Sequence, residues 1–132
     1  MMIKGRAISQ GIATAEAAVG KDAISFLGGV DAKTGIVIEK GNALEGKKIS
    51  GKIMVFPRGK GSTVGSYAIC QLAKNGVAPA AIVNVESEII VAVGAILSGI
   101  PMVDRLEKDP IEAIKTGSKV RVDGNKGTVE VL

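Results

Sequence analysis

Lys52-Ile53-Met54-Val55-Phe56-Pro57-Arg58-Gly59-Lys60-Gly61-Ser62-Thr63 passes from an apolar run of strand length into a turn broken by proline and two glycines. Val64, Ala68 and Leu72 then recur at helical spacing, so a helix is expected over residues 63–75, stopped by Gly76. Residues 80–85 read as the next strand. Ser87 stands where it would cap a second helix that runs to Ser98 and ends at Gly99. Residues 100–103 return as a strand. This β-α-β-α-β order predicts a parallel sheet with right-handed crossovers.

The flanks read differently. Residues 3–8 and 14–19 are expected strands with Gly11 between them, and residues 35–38 another, after a turn over residues 31–34. At the far end Val120 and Val122 alternate with Arg121 and Asp123, a turn follows at Gly124-Asn125, and residues 128–131 return as a hairpin. The expected fold is α/β, a β/β/α arrangement with antiparallel strands at both ends of a central parallel layer. The 132 residues fit one domain spanning 1–132.

Composition removes several function classes. There is no histidine, which excludes a Ser-His-Asp hydrolase, a histidine metal site and phosphohistidine chemistry within this chain. One cysteine, Cys70, allows no disulfide framework and cannot hold an iron–sulfur cluster by the usual set of thiolates. The net charge of +4 comes from dispersed lysines, and one Tyr, two Phe and no Trp make a poor base-stacking platform. No nucleic-acid partner is therefore expected. The N-terminus lacks an apolar signal region, and the most apolar stretch, residues 89–100, is too short to span a bilayer. A cytoplasmic protein with no membrane partner is expected.

The chemistry concentrates at residues 57–63. A loop at the carboxyl end of a parallel strand is where open α/β sheets bind ligands. The helix after it favours an anion, Gly59 and Gly61 permit close backbone approach, and Arg58 and Lys60 add positive charge. It is not a P-loop: Gly61 follows Lys60, and position 54 is Met. It is not a dinucleotide loop either, because Val64 occupies the third glycine position. Two readings of Ser62 stay open. It caps the helix, or it acts as a base, accepting a proton as its alkoxide. A helix terminus offers at most about 2 kcal/mol, roughly one and a half pKa units. A serine base therefore needs further help from a closed site and nearby cations.

Three stretches carry a resemblance. Ser25-Phe26-Leu27-Gly28-Gly29-Val30-Asp31-Ala32-Lys33-Thr34-Gly35, the loop from Pro57 to Ile69, and Gly94-Ala95-Ile96-Leu97-Ser98-Gly99-Ile100-Pro101-Met102-Val103-Asp104 resemble, in this order, the swivel domain of the aconitase-X family. The resemblance implies a swivelling β/β/α domain with barrel-like strands, docked on a large aconitase-X-type subunit that carries a [4Fe–4S] cluster. Domain closure would then complete the site and exclude water. It also implies a hydro-lyase activity, with Ser62 as proton acceptor. Such two-chain enzymes often dehydrate (R)-5-phosphomevalonate, a small phosphorylated hydroxy acid, to trans-anhydromevalonate 5-phosphate in a modified mevalonate route to isoprenoids. A related branch dehydrates cis-3-hydroxy-L-proline. Leu27 stands where relatives commonly have Trp, and Asn42 where a His is often found. The arginine that follows the serine in aconitases proper is absent, Val64 and Gly65 standing there, which argues against citrate as substrate.

The expected site is thus Ser62 as catalytic residue, with Arg58, Lys60, Gly61 and Thr63 binding substrate, and no metal held by this chain. The contrasting expectation, from another class, is a non-catalytic phosphate- or anion-binding module. A partner chain rich in cysteine separates the two. Outside the loop, Asp31 with Thr34 reads as an Asx turn. Ser66 is either a capping or a site residue, and Cys70 is a small core residue.

Overall fold

The structure, a computed structural model, describes residues 1–61 and 63–132. Its elements are β1 (Met2–Lys4), β2 (Arg6–Ser9), β3 (Ile12–Val19), the single turn α1 (Phe26–Gly29), β4 (Ile53–Phe56) and α2 (Gly65–Lys74). They continue with β5 (Ala81–Asn84), α3 (Ile89–Ser98), β6 (Met102–Asp104), the short α4 (Pro110–Ala113), β7 (Lys119–Asp123) and β8 (Thr128–Val131). The strands hydrogen-bond in the order β1-β8-β7-β3-β4-β5-β6-β2. β3, β4, β5 and β6 are mutually parallel; β7, β8 and β1 on one flank and β2 on the other are antiparallel.

The first and last strands of that order are consecutive in the chain, joined by Gly5 alone, so the sheet closes on itself. The Gly5 N–H donates to the Gly127 carbonyl at 2.7 Å. A Cβ on Gly5 would lie 2.5 Å from the Asp104 carbonyl oxygen, so only glycine fits the bend. This corrects the expected continuous strand over residues 3–8: its halves pair with different neighbours.

Alternation along the strands sorts two cores. Ile53 and Val55 of β4, Ala81 and Val83 of β5, and Val103, Val120, Val122 and Val129 fill the inside of the barrel. Met54, Phe56, Ile82 and Met102 face outward and are buried under Ile69 and Leu72 of α2 and Val91 and Ala95 of α3. β4 and β5 are therefore buried on both faces, as continuous apolar runs in parallel sheets are.

Residues 20–52 cross the outer layer as an irregular excursion, anchored by Ile24, Phe26, Val37, Leu44 and Ile49. The expected strand over residues 35–38 is reduced to isolated bridges, Val30 with Val37 and Ile36 with Lys48. α2 begins at Gly65, two residues later than expected. α3 is capped by Glu88 rather than Ser87, and its end at Gly99, φ 69°, matches the expected left-handed stop. Ser87 is diverted to Asp104, on which its N–H and hydroxyl both donate to Oδ2, at 2.8 and 2.7 Å. Among the described residues no helix is long and apolar enough to cross a membrane.

Candidate functional site

β4 and β5 end side by side, Phe56 opposite Asn84, so the loops that follow them open at one end of the sheet. Hydrogen bonds hold the loop after β4 on both sides. The Val85 N–H donates to the Pro57 carbonyl at 3.0 Å; the Ile24 N–H donates to Arg58 O at 3.1 Å; the Lys60 N–H donates back to Ile24 O at 3.0 Å. Gly59 presses on the start of α3, where a Cβ would lie 2.4 Å from Val91 Cγ2 and 2.7 Å from Glu88 Oε1. Gly61, at φ 92°, turns the chain in the left-handed region that favours glycine.

The two helices that start here differ in electrostatics. Glu88 accepts from the N–H groups of Ile90 and Val91 at 2.9 and 2.8 Å, so its own carboxylate occupies the anion-favouring end of α3. α2 starts after Val64, whose side chain cannot cap. Ile24, Phe26, Gly59, Lys60, Glu88 and Ile90 help line a small pocket of ≈ 40 Å³ between them.

The loop's cations are not equivalent. Lys60 Nζ lies 3.1 Å from Glu39 Oε2. Glu39 also accepts from the Ser25 N–H at 2.9 Å and from Asn42 Nδ2 at 3.2 Å. Partial burial opposes its charge, yet the hydrogen bonds from Ser25, Asn42 and Lys60 and the ammonium's charge hold the Glu39 carboxyl below the usual carboxylate range. Arg58 is exposed, and among the described residues its guanidinium has no hydrogen-bond or ion-pair partner. Gly61 and Thr63 are exposed on the same rim. Ser62 lies outside the described residues.

The Ser25–Gly35 stretch runs along this loop. Phe26 packs edge-on against Phe56, ring centres 5.8 Å apart. Asp31 Oδ1 accepts the Lys33 N–H at 2.8 Å and Thr34 Oγ1 accepts the Ile36 N–H at 3.3 Å, the expected Asx-type turn. Asn42 is buried, donating to Ala23 O at 3.1 Å and accepting from the Leu44 N–H at 2.9 Å. Ser66 donates to the Ile90 carbonyl and clasps α2 to α3. Cys70 is half-buried and accepts from the Ser98 hydroxyl at 3.3 Å. Glu39 and Glu88 carry no sequence signal, and Asn42 stands out only as a departure from relatives, since each is an ordinary polar residue whose partners are set by the fold.

Large apolar side chains stay exposed on α1 and at the starts of α2 and α3. Leu27, Val64, Tyr67 and Ile89 are 47%, 48%, 69% and 74% exposed. Leu27 and Tyr67 flank a groove of ≈ 120 Å³ that runs beside α2. The chain's residues do not fit an iron–sulfur cluster: its one cysteine is engaged by Ser98 inside the helical layer, and there is no histidine. Among the described residues no group of three or more His, Cys, Asp or Glu could hold a metal ion.

A family model described as the aconitase X swivel domain matches residues 2–131. The chain is 65% identical over 131 residues to the phosphomevalonate dehydratase small subunit of Methanocella arvoryzae, covering 99% of each chain. It is 53% identical over 132 residues to the protein of the same name from Pyrococcus furiosus, covering 100% of this chain and 96% of that one. Among solved structures, Thermococcus kodakaraensis aconitase X (holo-form) superposes with a TM-score of 0.95 at 54% identity, covering 100% and 98% of the two chains.

Proposed function

The chain belongs to the aconitase X swivel-domain family, and on that footing we propose that it is the small subunit of a phosphomevalonate dehydratase. The reading assigns it the conversion of (R)-5-phosphomevalonate to trans-anhydromevalonate 5-phosphate, in a cytoplasmic, modified mevalonate route to isoprenoids. It acts together with a large subunit, which carries the [4Fe–4S] cluster. Ser62, as its alkoxide, accepts the proton from the carbon beside the substrate carboxylate while the hydroxyl leaves the neighbouring carbon and the double bond forms. Arg58, with the backbone at Gly61 and Thr63, receives the substrate's anionic groups.

One observation carries the reading: a glycine-rich, cation-bearing loop at the carboxyl end of the parallel strands, in a chain matched along its length by proteins named as this subunit. Exposed apolar side chains support the two-chain character: Leu27 on α1, Val64 and Tyr67 at the start of α2 and Ile89 at the start of α3 offer a surface that a partner can cover. The test is anaerobic reconstitution with the large, cysteine-bearing chain, followed by assay of water loss. Turnover of 5-phosphomevalonate is expected only when both chains are present. Turnover of cis-3-hydroxy-L-proline instead would keep the reaction class and change the substrate; binding of phosphate with no turnover of either would leave an anion-binding module.

This surface makes its own prediction. Tyr67→Glu places a charge where an apolar partner surface is expected, and should weaken association with the large chain about thirtyfold or more. Because Tyr67 is largely exposed, the isolated small chain should melt within a few degrees of wild type. Titration of the two chains by calorimetry checks this, and unchanged affinity would remove Tyr67 from the interface.

A further inference from the structure

We infer that Glu39 is a positioning residue for the Ser62 loop: it holds Lys60 as a strut against Ser25 and so removes Lys60 from the groups that bind substrate. The inference rests on the reading of that loop as catalytic. Glu39 joins two chain segments that sequence alone keeps apart. Its Oε1 accepts the Ser25 N–H at 2.9 Å, and its Oε2 takes Asn42 Nδ2 at 3.2 Å and Lys60 Nζ at 3.1 Å. Its side chain is 19% exposed against 54% for Lys60, so the carboxylate is the fixed member and the ammonium the one drawn to it.

The surroundings favour this geometry. Gly29 leaves the space, since a Cβ there would come within 3.0 Å of Glu39 Oε1. The loop backbone is tied to the same segment through Ile24, and Gly61 passes close to Ser25, a Cβ on it reaching 3.1 Å from Ser25 Oγ. Lys60 lines both the small pocket under the loop and a recess of ≈ 270 Å³ on the other side, walled by Asp22, Glu39 and Asn42. The pair thus forms a partition beside Ser62's neighbour Gly61. An ion pair with one member half exposed adds little stability. Its consequence is placement, and a displacement of about 1 Å at a reacting group costs about a hundredfold in rate.

The test uses the reconstituted two-chain enzyme with Glu39→Gln, Lys60→Gln and the double variant. Each single change should lower kcat about tenfold to a hundredfold with KM held within about threefold, and the double should be no slower than the slower single. Arg58→Gln, by contrast, should raise KM. A rise in KM for Lys60→Gln with kcat unchanged, and effects that multiply in the double variant, would overturn the inference and return Lys60 to the substrate. Should Glu39→Gln fail to fold, Lys60→Gln still carries the test, because that side chain is more than half exposed. Ser62→Ala separates the levels: if it is inactive while Glu39→Gln and Lys60→Gln run at the wild-type rate, this inference alone fails. If Ser62→Ala is active, the reading of the loop fails with it.

Discussion

Ser62→Ala in the reconstituted enzyme should lower kcat about 10²–10⁴-fold, the range removed with a general base, while the two chains still associate as wild type. The small chain supplies only part of what a serine base needs. A helix end stabilises a neighbouring anion by at most about 2 kcal/mol, roughly one and a half pKa units. Of the two nearby cations, Lys60 is neutralised by Glu39 and only Arg58 is left unpaired among the described residues. That is too little to ionise a serine at neutral pH in open water. On the proposed reading, the remaining stabilisation comes from closure on a large subunit, which would exclude water and strengthen each of these terms. The small chain alone should accordingly show no activity. If Ser62 only caps the helix, alanine costs about 1 kcal/mol of stability and leaves kcat within a few-fold. Thermal melting of the small chain beside single-turnover rates of the complex separates these outcomes.

Much of the site's framework was legible because its signals are local. The apolar runs of β4 and β5, the glycine stop after α2 and the left-handed Gly99 after α3 are each written within a few residues, and each stands within two residues of its expected place. The hairpin of β7 and β8 is likewise read from alternation and a turn. The closure of the sheet was legible only through the family resemblance, which implies barrel-like strands, and not from local signals. Nothing in residues 3–8 says that Gly5 must bend, because the groups that force it belong to Asp104 and Gly127, about a hundred residues away.

The same distinction governs the polar residues. Ser87 is a good helix cap by composition, but the neighbouring Glu88 reaches the same N–H groups, and Asp104 competes for Ser87 from across the sheet. Glu39 follows an apolar run and carries no motif; its role emerges only when the fold brings Ser25 and Lys60 to it. A local rule ranks what a residue can do. Tertiary contacts choose which of those it does.

Asp104→Ala should cost about 3–5 kcal/mol, the range for breaking one side of a buried ion pair, and lower the melting temperature by roughly 10–20 °C. Asp104 has no exposed side-chain area and ends β6. It accepts from Arg6 Nε and Nη2 at 2.9 and 2.8 Å, and from the N–H and hydroxyl of Ser87 at 2.8 and 2.7 Å. It therefore ties β2, on the closing side of the barrel, to β6 and to the loop that leads into α3. Losing the carboxylate leaves those donors unmatched at a buried point. Arg6 is 43% exposed, so Arg6→Ala is the milder change, water replacing part of what is lost. The pH dependence follows. Burial opposes ionisation of Asp104, but the Arg6 and Ser87 hydrogen bonds and the Arg6 charge outweigh it, and the carboxyl lies below its ordinary value. A carboxylate with a depressed folded-state pKa contributes stability that is present above the unfolded value, about 3.9, and is lost as pH falls through the folded one. Asp104→Asn should accordingly sit below wild type by a constant margin from pH 5 to 8, and the two should converge as pH drops below about 4. Urea melts across that range check it, and a gap that fails to narrow in acid would mean that the side chain's shape, rather than its charge, closes the barrel.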